Sequence, residues 1–167
     1  FLRERNSFMK NFAVLLSLIF ILFTVGGCGA GVNFGSSDDY DSDSEILAKN
    51  IRLRIDDVLM SVTWQDNNAT RELKKILRDK DLVINTTQYG GFEQVGSLGY
   101  SLTTNNQEIT TQPGDIMLYN GNQIVIFYGS NSWSYTRLGK LTGKTQSELE
   151  NILNKSGVKI KLSLNDN

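Results

Sequence analysis

Residues 113–141, PGDIMLYNGNQIVIFYGSNSWSYTRLGKL, carry the strongest fold signal in the chain. Two apolar runs, Asp115–Tyr119 and Gln123–Tyr128, flank the pair Asn120-Gly121. An Asn-Gly pair between two apolar runs predicts a tight type I′ β-hairpin. The run Trp133–Leu141 follows and predicts a further strand. This stretch therefore favours a β-rich domain.

The residues before this stretch continue the β pattern and add one helix. Ile51–Ile55 alternates apolar and polar residues, which predicts a strand with one wet face. Asp56-Asp57 predicts a turn, and Val58–Trp64 predicts the second strand of a hairpin. Ala69–Leu77 places its apolar residues at helical spacing and predicts a short amphipathic helix.

The remaining segments complete the predicted fold. Leu82–Thr86 predicts a strand, and the Gly-containing stretch Phe92–Leu102 predicts a strand with bulges. Thr145–Asn154 predicts a second short helix, and Val158–Leu164 predicts the last strand. The total is about eight strands and two helices. Several strands are apolar on both faces, so we predict a mainly β fold: a small closed barrel with two short capping helices.

A resemblance to a known family supports this architecture. The segment YGGFEQVGSLGYSL (residues 89–102), followed by residues 113–141, resembles the bacterial cyclophilin-like domains of uncharacterised function. The order of elements over residues 50–164 resembles that family too. The resemblance implies a cyclophilin-like barrel and says little about activity, because one fold hosts many functions. The chain departs from related sequences in lacking a proline after Leu102, which leaves the shape of that loop open.

The resemblance also bears on catalysis. True cyclophilins are peptidyl-prolyl isomerases that use an arginine and an apolar, aromatic pocket with a histidine in its lining. This sequence contains no histidine, and no isomerase position carries over residue by residue. Isomerase activity is therefore the alternative function and not the expected one.

The first part of the sequence resembles a bacterial lipoprotein leader. Lys10 precedes the apolar run of residues 12–25, and Val25-Gly26-Gly27-Cys28 follows, which resembles a lipobox. The resemblance implies cleavage before Cys28 and a diacylglyceryl group on its thiol. We predict a signal peptide over residues 1–27, with Met9 as a candidate start and non-native residues before it. An inert buried cysteine or an uncleaved signal anchor is the alternative.

Residues 28–49 then form the lipidated Cys and an acidic Ser/Gly linker, and residues 50–167 form the cyclophilin-like domain. The linker is too poor in apolar residues to order itself. Lipidation predicts a protein anchored to the cell membrane on its extracytoplasmic face. Asp39, Asp41 and Asp43 alternate as in a calcium loop, but Ser44 and Asn50 stand where that loop needs Gly and Glu.

Composition excludes several classes of site. The formal net charge is −1 and no basic stripe forms, so no nucleic-acid partner is expected. A single cysteine cannot form an internal disulfide or a zinc site. We therefore predict no cofactor, no metal and a monomer whose partners are the membrane and an unknown small molecule or peptide.

Two groups of residues are candidate ligand contacts. Alternation places Trp133, Tyr135 and Arg137 on one strand face, where aromatic walls and a guanidinium suit a carboxylate or peptide carbonyl. The alternative is a surface arginine paired with Glu93 or Asp115.

The second group comes from the Gly-rich turn. Gln88, Tyr89 and Phe92 lie where glycines let a ligand approach the backbone. A tight bend in the barrel wall explains them equally well.

Together these features favour a lipid-anchored binding module for a ligand or a peptide. A peptidyl-prolyl isomerase-like enzyme and a structural or protein-interaction domain are the two alternatives.

Overall fold

The structure is a computed structural model that describes residues 44–164 of the 167-residue chain. The predicted signal peptide, Cys28 and the linker up to residue 43 lie outside the described residues. The described residues contain three helices: α1 (residues 44–48), which lies at the end of the predicted linker, α2 (Asn68–Asp79) and α3 (Gln146–Leu153). Among the described residues, no helix has the length and apolarity needed to cross a bilayer.

The described residues contain eleven strands. In chain order they are β1 (Ile51–Ile55), β2 (Val58–Met60), β3 (Val62–Trp64), β4 (Leu82–Asn85), β5 (Thr87–Tyr89), β6 (Glu93–Ser97), β7 (Gln107–Thr110), β8 (Asp115–Tyr119), β9 (Gln123–Phe127), β10 (Ser132–Leu141) and β11 (Lys159–Leu164).

The strands form two sheets, and every strand pair is antiparallel. The four-stranded sheet has the order β2-β1-β11-β4. The seven-stranded sheet has the order β3-β10-β8-β9-β6-β5. β7 lies off this path and pairs with the first four residues of β10, Ser132–Tyr135. The mainly β architecture predicted from the sequence is therefore confirmed.

The hairpin expected at Asn120-Gly121 is present. Both residues have positive φ angles, 50° and 73°, as a type I′ turn requires. Pairing starts with Tyr119 opposite Gln123 and continues inward to Ile116 opposite Ile126. β8 and β9 lie where the sequence predicts them, and the register leaves three residues, 120–122, in the loop between them.

The predicted strand count was wrong, and closure into one barrel is not confirmed. The segment 58–64 is two strands, because the chain leaves the four-stranded sheet at Ser61 and enters the other sheet. β5 and β7 were missed because both are short and mostly polar. Among the described residues, strand pairing leaves two open sheets and does not continue around a closed barrel.

The main core lies between the two sheets and under the helices. Side chains from the facing sides of both sheets are buried there, including Leu53, Ile116, Ile126 and Ile160. Leu73 and Leu77 of α2 and Leu149 and Leu153 of α3 join the same cluster.

Each of these two helices begins with a capping box, Asn67 with Thr70 and Thr145 with Glu148, which fixes where the helix starts.

Candidate functional site

The seven-stranded sheet is also buried on its outer face. In β8 and β9 the residues that alternate with the core residues point to the opposite side. Met117, Val125, Phe127 and Tyr135 form a second buried cluster there, and Met117 pairs directly with Val125. An outer sheet face normally carries polar side chains, so this apolar face is the first feature that suggests a site.

Five aromatic rings form a continuous row across this face. Successive ring centroids lie 6.4 Å apart for Tyr89 and Phe92, 6.5 Å for Phe92 and Phe127, 5.6 Å for Phe127 and Tyr135, and 6.0 Å for Tyr135 and Tyr119. Phe92 and Phe127 are stacked, with an interplanar angle of 3°. These separations are within the range of favourable aromatic pairs. We call these five residues the aromatic row.

The Gly-rich turn positions Phe92 in this row. Gly90 and Gly91 have φ angles of 61° and 75°, which glycine adopts without strain. A Cβ on Gly90 would lie only 2.2 Å from Cε1 of Phe92. The missing side chain therefore makes room for the Phe92 ring, which explains the glycine without reference to a ligand.

Glu93 lies beneath the row and is buried. It pairs across the sheet with Tyr89 on one side and Phe127 on the other. Only 6% of the residue is exposed, and its Oε2 atom has no hydrogen-bond partner among the described residues. Burial raises the pKa of Glu93 to about 7. A carboxyl group that is still about half protonated at neutral pH is uncommon and often marks a site.

Tyr135 responds to the same environment. Burial raises the pKa of its hydroxyl, and the nearby charge of Glu93 raises it further. Asn131 donates a hydrogen bond from Nδ2 to the Tyr135 hydroxyl at 3.1 Å, which opposes the shift. The Tyr135 hydroxyl and the Glu93 carboxyl are therefore both uncharged at pH values between 4.5 and 7, where an exposed carboxyl is already ionised.

Arg137 is held by an ion pair. Its Nη1 donates to Oδ1 of Asp115 at 2.7 Å, and Nζ of Lys140 lies 3.4 Å from the same oxygen. Oδ2 of Asp115 accepts the backbone N–H of Gln112 at 2.9 Å. The Asp115 side chain is 2% exposed and that of Arg137 is 34% exposed. This is the surface pairing considered as the alternative for Arg137, and a ligand contact by Arg137 stays a prediction.

The structure brings together some of the sequence-predicted contacts and separates others. Tyr89, Phe92 and Tyr135 belong to the aromatic row. Trp133 lies on the Tyr135 face of β10, opposite Ile109 of β7, and 56% of it is exposed.

Gln88 lies apart from the aromatic row, and its role as a ligand contact stays a prediction. Neighbouring residues of a strand face opposite sides, and β5 places Gln88 and Tyr89 accordingly. Nε2 of Gln88 donates to the Tyr128 hydroxyl at 2.7 Å and to Oδ1 of Asn154 at 2.6 Å. Gln88 therefore links β5 to the end of α3.

Sequence reasoning missed three members of the site: Glu93, Phe127 and Tyr119. Alternation with Val125 and Met117 could have placed Phe127 and Tyr119 on the outer face. Nothing local in the sequence marks Glu93 as buried, because its burial depends on β9, which lies far along the chain.

No group of three or more histidine, cysteine, aspartate or glutamate side chains in residues 44–164 is arranged to hold a metal ion. The polar chemistry of this face consists of the Glu93 carboxyl, whose pKa is about 7, the Tyr135 hydroxyl and the Asp115–Arg137 pair. These groups can form hydrogen bonds, and Glu93 can become negatively charged beside the aromatic surface.

Comparison with known proteins agrees with the fold. The model of the cyclophilin-like family matches residues 53–164. A search of curated proteins finds no match. The solved structure of McbB in complex with tryptophan is similar at a TM-score of 0.50 and 10% sequence identity, over 68% of this chain and 44% of the McbB chain. The present chain thus spans less than half of the McbB chain, and this likeness concerns the fold alone.

Proposed function

The chain belongs to the cyclophilin-like family, and from that premise we propose that its aromatic row and Glu93 bind a small molecule or peptide bearing an amine or amide N–H. The single observation that carries the proposal is the buried Oε2 of Glu93, which lacks a hydrogen-bond partner among residues 44–164. A binding module of this kind is the function that the face supports best.

The energetics of Glu93 favour a donor ligand. A buried polar group without a partner costs about 1–3 kcal/mol, and a ligand N–H would recover that cost. A cationic amine gains more, because it would pair with the ionised carboxylate and interact with aromatic ring faces. The exposed aromatic side chains Tyr89 and Trp133, at 67% and 56% exposure, offer apolar contact area at the surface.

Tryptamine is a suitable probe because it combines an ammonium group with an aromatic body. We expect calorimetry to show that the purified chain binds tryptamine at pH 8. Glu93→Gln should weaken this binding at least tenfold, since a charged hydrogen bond contributes about 1.5–3 kcal/mol. Indole, which lacks the ammonium, should bind more weakly. Glu108→Gln removes an equal charge from an exposed position on β7 and should leave the affinity unchanged.

The pH dependence of binding provides a second readout. Because Glu93 has a pKa of about 7 and must ionise to pair with a cation, tryptamine affinity should fall between pH 8 and pH 5.5. Equal affinity of wild type and Glu93→Gln at pH 8, or binding without this pH dependence, would remove Glu93 from the site.

We also propose that the domain lacks peptidyl-prolyl isomerase activity. Arg137, the arginine of this face, is engaged by Asp115, and the sequence offers no histidine for an isomerase-like pocket. Acceleration of proline isomerisation in a peptide substrate would favour the enzymatic alternative. If the aromatic row has a purely structural role, the purified chain should not bind tryptamine at all.

The location of the module is the second part of the proposal. The lipobox resemblance at Cys28 supports a lipid anchor that displays the domain outside the cell membrane. Cys28→Ser should yield unprocessed precursor without fatty-acid label, measured by metabolic labelling and gel mobility. Equal labelling of the variant and the parent chain would exclude Cys28 as the lipidated residue.

A further inference from the structure

A cleft of about 840 Å³ lies where the chain passes from one sheet to the other. β2 is the edge strand of the four-stranded sheet and β3 is an edge strand of the seven-stranded sheet, and only Ser61 separates them. The volume falls within the range of ligand pockets, roughly 300–1,000 Å³. The apolar lining comes from α1 and β1–β3: Leu47, Ile51, Leu59, Met60, Val62 and Trp64.

The polar lining of this cleft is predominantly cationic. Arg52, Arg71 and Lys74 line it, against one acidic residue, Asp66. Arg71 pairs with Asp66 at 2.8 Å, so these two charges offset each other. Lys74 donates from Nζ to the carbonyl oxygen of Leu47 at 2.6 Å, and no carboxylate is paired with it in the cleft lining. Arg52 is exposed.

Helix α2 reinforces this positive character. Its first turn reaches the cleft through Thr70 and contains no acidic residue. The partial positive charge at a helix N-terminus therefore adds to the charges of Arg52 and Lys74. The cleft combines an apolar interior with cationic groups.

We propose that this cleft binds a free amphipathic anion, an alkyl chain ending in a carboxylate, with the chain along Trp64 and Met60 and the head group at Arg52. The site is separate from the aromatic row, whose buried acid favours donors and cations. The charge and the apolar lining of the cleft both favour this class of ligand. A cation would be repelled by Arg52 and Lys74. A small hydrophilic anion would leave the apolar lining exposed to water.

Dodecanoate tests the proposal through the fluorescence of Trp64. The chain has two tryptophans, so Trp133→Phe leaves Trp64 as the only indole reporter. We expect dodecanoate, kept below its micelle concentration, to change this emission with a saturable profile. Dodecanol, which has the same chain and no charge, should bind at least several-fold more weakly.

Arg52→Gln is the decisive variant, and we expect it to weaken dodecanoate binding about tenfold, the loss expected for one charged hydrogen bond. Arg54→Gln is the matched control, because Arg54 lies two residues along β1, bonds the carbonyl oxygen of Asp57 and does not line the cleft. Equal affinities for Arg52→Gln and Arg54→Gln, or a response only to micelles or to anionic vesicles, would overturn the proposal. Glu93→Gln should leave dodecanoate binding unchanged, which keeps this test distinct from that of the aromatic row.

Discussion

Replacing Glu93 with glutamine is expected to stabilise the domain by up to about 3 kcal/mol at pH 8 and to change its stability little at pH 4. Burial raises the pKa of Glu93 from 4.5 in an exposed chain to about 7 in the fold. Between these values the folded domain holds a proton that the unfolded chain has released. Wild-type stability therefore falls as pH rises through this window, and glutamine removes the loss.

Urea unfolding at pH 4, 6 and 8 measures this effect. The difference between wild type and Glu93→Gln should grow from pH 4 to pH 8. Glu108→Gln should follow the wild-type curve, because Glu108 is exposed. Parallel pH profiles for wild type and Glu93→Gln would show that the carboxyl ionises freely in the fold, and the proposed binding role of Glu93 would lose its basis.

Replacing Asp115 with alanine is expected to destabilise the domain by about 3 kcal/mol. This buried carboxylate accepts from Arg137 and from the backbone N–H of Gln112, and Lys140 lies nearby. Breaking a buried ion pair typically costs about 3–5 kcal/mol. Arg137 is partly exposed and water can solvate it after the change, so the loss should lie at the lower end of that range.

Thermal and urea unfolding of Asp115→Ala, Arg137→Ala and the double variant form a cycle that isolates the pair. The double variant should lose less stability than the two single variants combined. Asp81→Ala breaks the exposed pair between Asp81 and Lys161, 2.8 Å apart, and should cost less than about 1 kcal/mol. A loss for Asp115→Ala no larger than for Asp81→Ala would contradict a stabilising role for the buried pair.

Local pattern was enough to predict most of the fold. Alternation in β1, the Asn-Gly turn between β8 and β9, and the apolar spacing of α2 and α3 each act within a few residues, so the sequence displays them directly. The break at Ser61 was not predictable in this way. Its cause is tertiary, because β2 pairs with β1 while β3 pairs with β10. β7, with only Ile109 as an apolar residue, forms because β10 is long enough to pair with it beyond β8.

The site was predicted only in part for the same reason. The aromatic residues Tyr89, Phe92 and Tyr135 were chosen from two separate segments, and β8 and β9 bring them together through Phe127. Glu93 acquires its unusual chemistry from neighbours on other strands, so its identity in the sequence predicts an ordinary exposed acid. Gln88 was grouped with Tyr89 because both precede the Gly-rich turn, but neighbouring residues of β5 face opposite sides, so the structure does not bring Gln88 to the aromatic row.

The pairing of the first strand with the last has a consequence for how the protein is made. β11 lies between β1 and β4, with Ile51 opposite Leu164 and Ile84 opposite Ile160. Until the ribosome has added residues 159–164, β1 has only the three-residue β2 as a partner, and a lone hairpin is barely stable in water. Completion of the four-stranded sheet must therefore wait until residues 159–164 have been synthesised, and such non-local pairing is slow.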